Sequence, residues 1–244
     1  MVPEEATESN SSSVPFSPPC SPTCGRFAPR CRRSLKLIDI SPLLSSDTAV
    51  FPGDTPLQRE VLMDLHEGNH LTLSTLRSTV HLGSHLDAPS HYDPDGVTIE
   101  QADLSLCMGE CQVIETSCKP GTEIGIDDLQ SSPESSRILL KTGSHPDPDH
   151  WAGDFCGVSP ALIDEFSAKG VRLLGVDTPS VDLADSKDLQ SHAACRRGSI
   201  WILEGLVLTE ADPGFYELIA LPLRLSGFDA SPVRAVLRTL GDSD

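Results

Sequence analysis

Between positions 35 and 240 the chain alternates short apolar runs with polar, turn-rich connectors. LKLIDIS (35–41), REVLMDL (59–65), LTLSTLRSTV (71–80), QVIET (112–116), RILLKTG (137–143) and VRLLGVD (171–177) are rich in Val, Ile, Leu and Thr. Their length and composition, bounded by Gly, Pro and Asp, predict strands. WILEGLVL (201–208), FYELIALPLRL (215–225) and SPVRAVLRTL (231–240) predict three more. The pattern changes period at SPALIDEFSAKG (159–170), which predicts a helix. Ser159 suits the N-cap, Pro160 the first helical position and Gly170 the stop, with Leu162, Ile163 and Phe166 on one face. A second helix is expected from Asp185 to Arg197. Many strands with few helices and no internal repeat imply an α/β fold, built as a single domain over residues 35–244.

The first 34 residues break the pattern. SSSVPFSPPCSP is typical of them, and so few aliphatic side chains cannot offset the entropy of ordering a chain. We read 1–34 as a disordered Ser/Pro-rich extension. Cys20, Cys24 and Cys31 within it are a conceivable zinc site. The other five cysteines lack metal-ligand spacing and read as reduced, buried thiols.

Charge narrows the function. The formal net charge is −18, which argues against nucleic acid and anionic membranes as partners. The acids are not in the tail: residues 1–36 hold three acids and five bases. Such an acidic domain suggests a surface suited to high salt, where screening relieves self-repulsion. No run approaches the length of a membrane span, and the N-terminus lacks the basic and apolar regions of a secretory signal. A cytoplasmic location is therefore expected.

The chemistry concentrates in HLGSHLDAPSH, from His81 to His91, which uses three of the chain's eight histidines. A zinc-binding helix is excluded, because Gly83 and Pro89 would break it. A turn through Gly83 and Ser84 instead folds His81, His85 and Asp87 around one point. Two imidazoles and a carboxylate suit Zn²⁺ or a similar divalent ion with a coordination position left open. His91, just past Pro89, is placed to take a proton from water at that position. The alternative is a polar loop whose histidines are capping or surface groups. Elsewhere, Glu204 interrupts the apolar run WILEGLVL and needs either an ion-pair partner or a metal. His192 lies in the expected second helix. Asp54 reads as a turn residue.

HLGSHLDAPSH is similar to the His-x-Gly-Thr-His-x-Asp-x-Pro-x-His motif of the cyclase-type metal-dependent amidohydrolases. That family includes bacterial kynurenine formamidase (arylformamidase) and isatin hydrolase. FPGDTP, GVDTPSVD, ILEGLVL, YELIALPLRL and DASPVRAVLR resemble the formamidase branch, so the likeness spans about residues 36–240. It implies a swivelling β/β/α domain and two Zn²⁺ ions per subunit; by their chemistry the same ligand types also accept Mn²⁺ or Co²⁺. By the same resemblance His81, His85 and Asp87 hold a first zinc, and Asp87 bridges to a second held by His192 and Glu204. His91 corresponds to the catalytic proton donor and acceptor. Phe51 falls where the family sets an aromatic ring against the substrate, although core packing would also explain it.

The implied reaction is hydrolysis of N-formyl-L-kynurenine to L-kynurenine and formate, in tryptophan degradation, by a homodimer. Three departures stand out. Ser84 replaces the usual threonine, Phe51 lacks the indole N–H of the commoner tryptophan, and Ala193, Gly198 and Ser199 stand where further histidines are frequent. Isatin or another cyclic amide is the rival substrate. A metal-storing module without turnover is the rival from a different class.

Overall fold

The structure, a computed structural model, describes residues 35–241. The expected disorder of 1–34 and the conceivable zinc site at Cys20, Cys24 and Cys31 lie outside the described residues. The strands in chain order are β1 (Leu37–Asp39), β2 (Gln58–Met63), β3 (Leu73–Arg77), β4 (His85–Asp87) and β5 (Met108–Glu115). Next come β6 (Glu123–Ile124), β7 (Arg137–Lys141), β8 (Gly157–Val158), β9 (Leu173–Val176) and β10 (Trp201–Glu204). The last are β11 (Gly214–Ile219), β12 (Ala230–Pro232) and β13 (Val236–Thr239). The α-helices are α1 (Leu104–Cys107), α2 (Pro160–Ala168) and α3 (Gln190–Gly198).

Nine strands form one mixed sheet in the order β1-β13-β11-β5-β7-β9-β10-β4-β12. The neighbours β5, β7, β9 and β10 run parallel, and the remaining pairs are antiparallel. Strands β12 and β13 lie toward opposite ends of this order, yet only residues 233–235 separate them. So short a link spans about 14 Å at most. The sheet must therefore curl until its two edges approach each other.

The curl explains why the central strands are apolar throughout. Side chains alternate across a strand, so both faces need cover. Ile38, Leu86, Val113, Leu139, Leu173, Leu203, Leu218 and Leu237 pack together inside the curl. Their neighbours Ile114, Ile138, Leu140, Leu174, Val176 and Ile202 face outward and are covered by α2 and α3, through Leu162, Ile163, Phe166, Ala194 and Cys195. Each buried aliphatic side chain of this kind contributes about 1.5–3 kcal/mol.

The helix α2 forms as its sequence predicts, with the Ser159 hydroxyl accepting from the Leu162 N–H and Gly170 in the left-handed region just past its end. Three expectations need correction. The second helix starts at Gln190, not Asp185. Leu189 takes a left-handed backbone conformation, and the carboxylate of Asp182 accepts the N–H groups of Ser191 and His192. A cap supplied from elsewhere in the chain sets that start. SPVRAVLRTL is two strands: Ala230–Pro232 pairs with β4, whereas Val236–Thr239 pairs with β1 and β11. Finally, the strand in LTLSTLRSTV ends at Arg77, and His85 to Asp87 themselves form a strand.

The ribbon of β2 and β3 stands apart from the large sheet. Val61, Leu62, Leu73 and Leu76 on it are exposed.

Candidate metal centre

The register of three strands builds the site. On β4, His85 and Asp87 share a face and Leu86 points to the opposite one, into the inner core. In the antiparallel pairing of β10 with β4, Glu204 stands opposite His85 and Ile202 opposite Asp87. Residues directly opposite each other project to the same side. The imidazole of His85 and the carboxylates of Asp87 and Glu204 thus meet on the sheet face that α3 covers. From α3, the first turn brings in His192. His81 comes from the bend before β4, and His91 ends a single 3₁₀ turn that Pro89 opens.

Glycine makes this approach possible. Gly205 follows Glu204 with φ +66°, and a Cβ placed there would lie 2.1 Å from the carbonyl oxygen of Gly83. Gly83 is itself left-handed, at φ +56°. The Ser84 hydroxyl donates to the Gly205 carbonyl at 2.8 Å and ties the two turns together. A serine thus performs this tie through the hydroxyl it shares with threonine.

Hydrogen bonds orient each ring. His85 Nδ1 donates to the Gly83 carbonyl at 2.8 Å, which leaves Nε2 as a lone pair. His192 Nδ1 donates to Asp182 Oδ2 at 2.6 Å, with the same result. His81 meets Asp229 Oδ2 through Nε2 at 3.0 Å, so its Nδ1 faces Asp87. His91 Nδ1 reaches the same Asp229 oxygen at 3.3 Å. Glu204 Oε1 accepts the Val181 N–H at 2.8 Å, and Oε2 turns inward.

What faces inward has no hydrogen-bond partner. His85 Nε2, His192 Nε2 and both carboxylate oxygens of Asp87 are buried without one. Their separations are too long or too poorly aligned for hydrogen bonds: 3.4 Å from His85 Nε2 to Asp87 Oδ1, 3.3 Å to Glu204 Oε2 and 3.7 Å from His192 Nε2 to Asp87 Oδ2. Ligands at zinc distances in tetrahedral geometry are about 3.4 Å apart. Unpaired buried lone pairs are costly, and a divalent cation would satisfy this set. The donor atoms fall into two overlapping groups, His81–Asp87–His91 and His85–Asp87–Glu204. Asp87 is common to both, as a bridging carboxylate would be. The grouping differs from the expected one: His85 falls with Glu204 rather than with His81, His91 stands among the donors, and His192 belongs to neither group. His192 Nε2 lies 3.9 Å from Glu204 Oε1.

The buried carboxylates raise the proton affinity of the rings beside them. Burial opposes charge on His81, but Asp87 and then Asp229 outweigh it and lift its pKa to about 9. At His192 burial again opposes the charge, and Asp182 and Asp87 raise the pKa to about 10. Burial alone would raise the Asp87 pKa, yet contact with His192 and His81 holds it well below the usual carboxylate range.

The cluster forms the floor of a cavity of about 470 Å³. Phe51 and Trp151 wall it with ring centroids 4.9 Å apart in an edge-to-face arrangement, and Leu206, Val207 and Leu208 extend the apolar lining. Trp151 also packs on Phe155. Asp54 lines the cavity too; it is a turn residue, as expected, with its N–H donating to the Phe51 carbonyl.

The Cyclase family model matches residues 38–183, more than half of the chain. The chain belongs to the Cyclase family. The matched segment contains His81, His85, Asp87 and His91. Among solved structures, this Cyclase chain is similar to a potential metal-dependent hydrolase with cyclase activity at 24% identity and TM-score 0.73, covering 85% of this chain and 99% of the other. A predicted metal-dependent hydrolase from Bacillus stearothermophilus matches at the same identity and score, over 85% and 100%. Isatin hydrolase A from Labrenzia aggregata, bound to benzyl benzoate, matches at 19% identity and TM-score 0.71, over 84% and 94%. These likenesses establish the fold.

All six side chains singled out for metal or proton chemistry converge, and Phe51 lines the same cavity. Three neighbours escaped sequence reasoning. Asp182 and Asp229 lie in GVDTPSVD and DASPVRAVLR, stretches in which nothing about an acid's spacing marks it as a partner for a distant histidine. Trp151 sits in a Pro- and Asp-rich connector that carries no periodic signal.

Proposed function

We propose that this protein is a metal-dependent amide hydrolase, an arylformamidase that converts N-formyl-L-kynurenine to L-kynurenine and formate. The observation that carries the reading is the set of partnerless buried donor atoms of His85, Asp87 and His192, at the floor of an aromatic-walled cavity. His81, His85, Asp87, His192 and Glu204 would hold two Zn²⁺ ions, and Mn²⁺ or Co²⁺ fit the same donors. Such ions lower the pKa of water toward neutrality and polarise a carbonyl oxygen, the two needs of amide hydrolysis.

The chain's own groups supply the rest. His91 is exposed to the cavity, with Nδ1 on Asp229 and Nε2 free to carry a proton between water and the leaving aniline nitrogen. Asp229 steadies that ring and, through the same oxygen, the ring of His81. Phe51 and Trp151 offer edge and face to an aryl group.

The test mixes the metal-loaded protein with N-formyl-L-kynurenine and follows the absorbance of released kynurenine. Turnover supports the reading. Opening of isatin without formamidase activity would move the assignment to a cyclic-amide hydrolase, a reading favoured by the structural likeness to isatin hydrolases. Silence on both would leave a metal-binding module.

The active form we propose is a homodimer. The exposed leucines and valine of the β2–β3 ribbon support it, because an apolar ribbon outside the large sheet needs cover in water.

A further inference from the structure

Two of the five free cysteines among the described residues share one small space. Cys118 lies in the connector after β5, and Cys156 immediately precedes β8. The Cys118 thiol is 3.4 Å from the carbonyl oxygen of Lys119, and the Cys156 thiol is 3.3 Å from that same oxygen. The backbone holds them there. Thr122 receives the N–H of Gly157 on its carbonyl at 3.1 Å, and Cys118 Sγ lies 3.4 Å from that same carbonyl. Strands β6 and β8 then continue side by side, with Glu123 opposite Gly157. Two chain segments nearly forty positions apart thus bring their sulfurs to one carbonyl oxygen, that of Lys119.

The two thiols are not equivalent. Cys118 is partly exposed, whereas Cys156 is fully buried. Burial and then the neighbouring Cys118 push the Cys156 thiol up to about 12. Cys156 also sits behind the aromatic wall of the cavity. Its N–H donates to Ser144 Oγ, next to His145, and Phe155 packs on both Trp151 and His145.

We propose that Cys118 and Cys156 are a reversible dithiol–disulfide site that responds to peroxide and, when oxidised, pins the loop carrying His145 and Trp151. Cys118 sulfur attacks one peroxide oxygen, the O–O bond breaks, and the other oxygen leaves with the thiol proton as water. The resulting Cys118 sulfenic acid is attacked at sulfur by Cys156. An S–S bond forms as the S–O bond breaks, and the hydroxyl departs with the Cys156 proton as a second water. Two electrons pass from the sulfur pair to peroxide. A thiol reductant reverses the process.

The experiment treats the full-length protein with hydrogen peroxide and maps disulfide-linked peptides by mass spectrometry under non-reducing conditions. A Cys118–Cys156 linked peptide that dithiothreitol removes is expected in the wild type and absent from Cys118→Ser and Cys156→Ala. Cys118 in sulfinic form beside a free Cys156, a link from Cys118 to any other cysteine, or two unreacted thiols would each overturn the site. Hydrogen exchange then reads the loop. Amides of residues 144–155 are expected to exchange more slowly in the oxidised wild type, with no such change in peroxide-treated Cys118→Ser. Equal exchange before and after the bond forms would overturn the pinning.

Discussion

Glu204 stands directly opposite His85 in the ladder between β10 and β4, with a carboxylate oxygen 3.3 Å from the imidazole nitrogen that has no hydrogen bond. The pairing is a consequence of register, since a shift by one residue would turn Glu204 into the inner core and break the set. A carboxylate at this depth calls for a cation. Glu204→Gln keeps shape and one acceptor but removes the charge. It is expected to lose about one bound metal per subunit and to lower turnover by at least ~100-fold. Metal analysis of the purified variant beside its kinetics checks this; full occupancy would show Glu204 to be an ion-pair partner only.

His91 stands close to both His81 and Asp87, with its ring centroid 4.2 Å from that of His81. As a proton carrier its loss should spare the metals. His91→Ala is expected to retain both ions and to lose about 10²–10⁴-fold in turnover. Loss of one ion from this variant would instead place His91 among the ligands.

Asp182 reaches the site only through His192, whose ring it orients at 2.6 Å while also capping α3. Asp182→Asn weakens the grip on the Nδ1 proton and with it the supply of a lone pair at Nε2. Metal affinity should fall about 10–100-fold, measured by competition with a chelating dye. Unchanged affinity would reduce Asp182 to a helix cap.

The pKa shifts set a pH dependence for the metal-free protein. His81 and His192 are raised in the folded state to about 9 and about 10 from an unfolded value of 6.5. A raised folded pKa contributes stability that is fully present below pH 6.5 and is lost as pH climbs through 9 and 10. The melting temperature of chelator-treated protein should therefore fall between pH 6.5 and 10. The same protons must leave when a metal enters, so metal uptake near pH 8 should release protons. Calorimetry in buffers of differing ionisation enthalpy detects that release, and a signal independent of buffer would contradict it.

Leu62 and Leu76 lie on the exposed β2–β3 ribbon. Changing both to glutamate should convert a dimer to monomers without unfolding the sheet, as read by sedimentation and circular dichroism. A wild-type protein already monomeric would remove the ribbon's proposed role.

Much of the site was legible because it is local. His81, His85, Asp87 and His91 fall within eleven residues, and Gly83 and Pro89 announce a bend rather than a helix. The α2 helix carries its own cap, first-position proline and stop. Residue types at fixed short spacing need only backbone geometry to be interpreted. The start of α3 was not legible, since its cap is the carboxylate of Asp182, eight positions upstream of Gln190 and outside any capping motif.

Sequence by itself determined the strand-rich α/β character, the acidic balance and the imidazole–carboxylate nucleus between His81 and His91. Only the tertiary structure decided that Glu204 meets His85, that His192 closes the cluster, that Asp229 joins His81 to His91, and that SPVRAVLRTL divides between two edges of a curled sheet. The division has a physical cause. Turns, caps and alternation act over a few residues, whereas strand register and sheet curl arise from packing summed over the whole core, which no short stretch encodes.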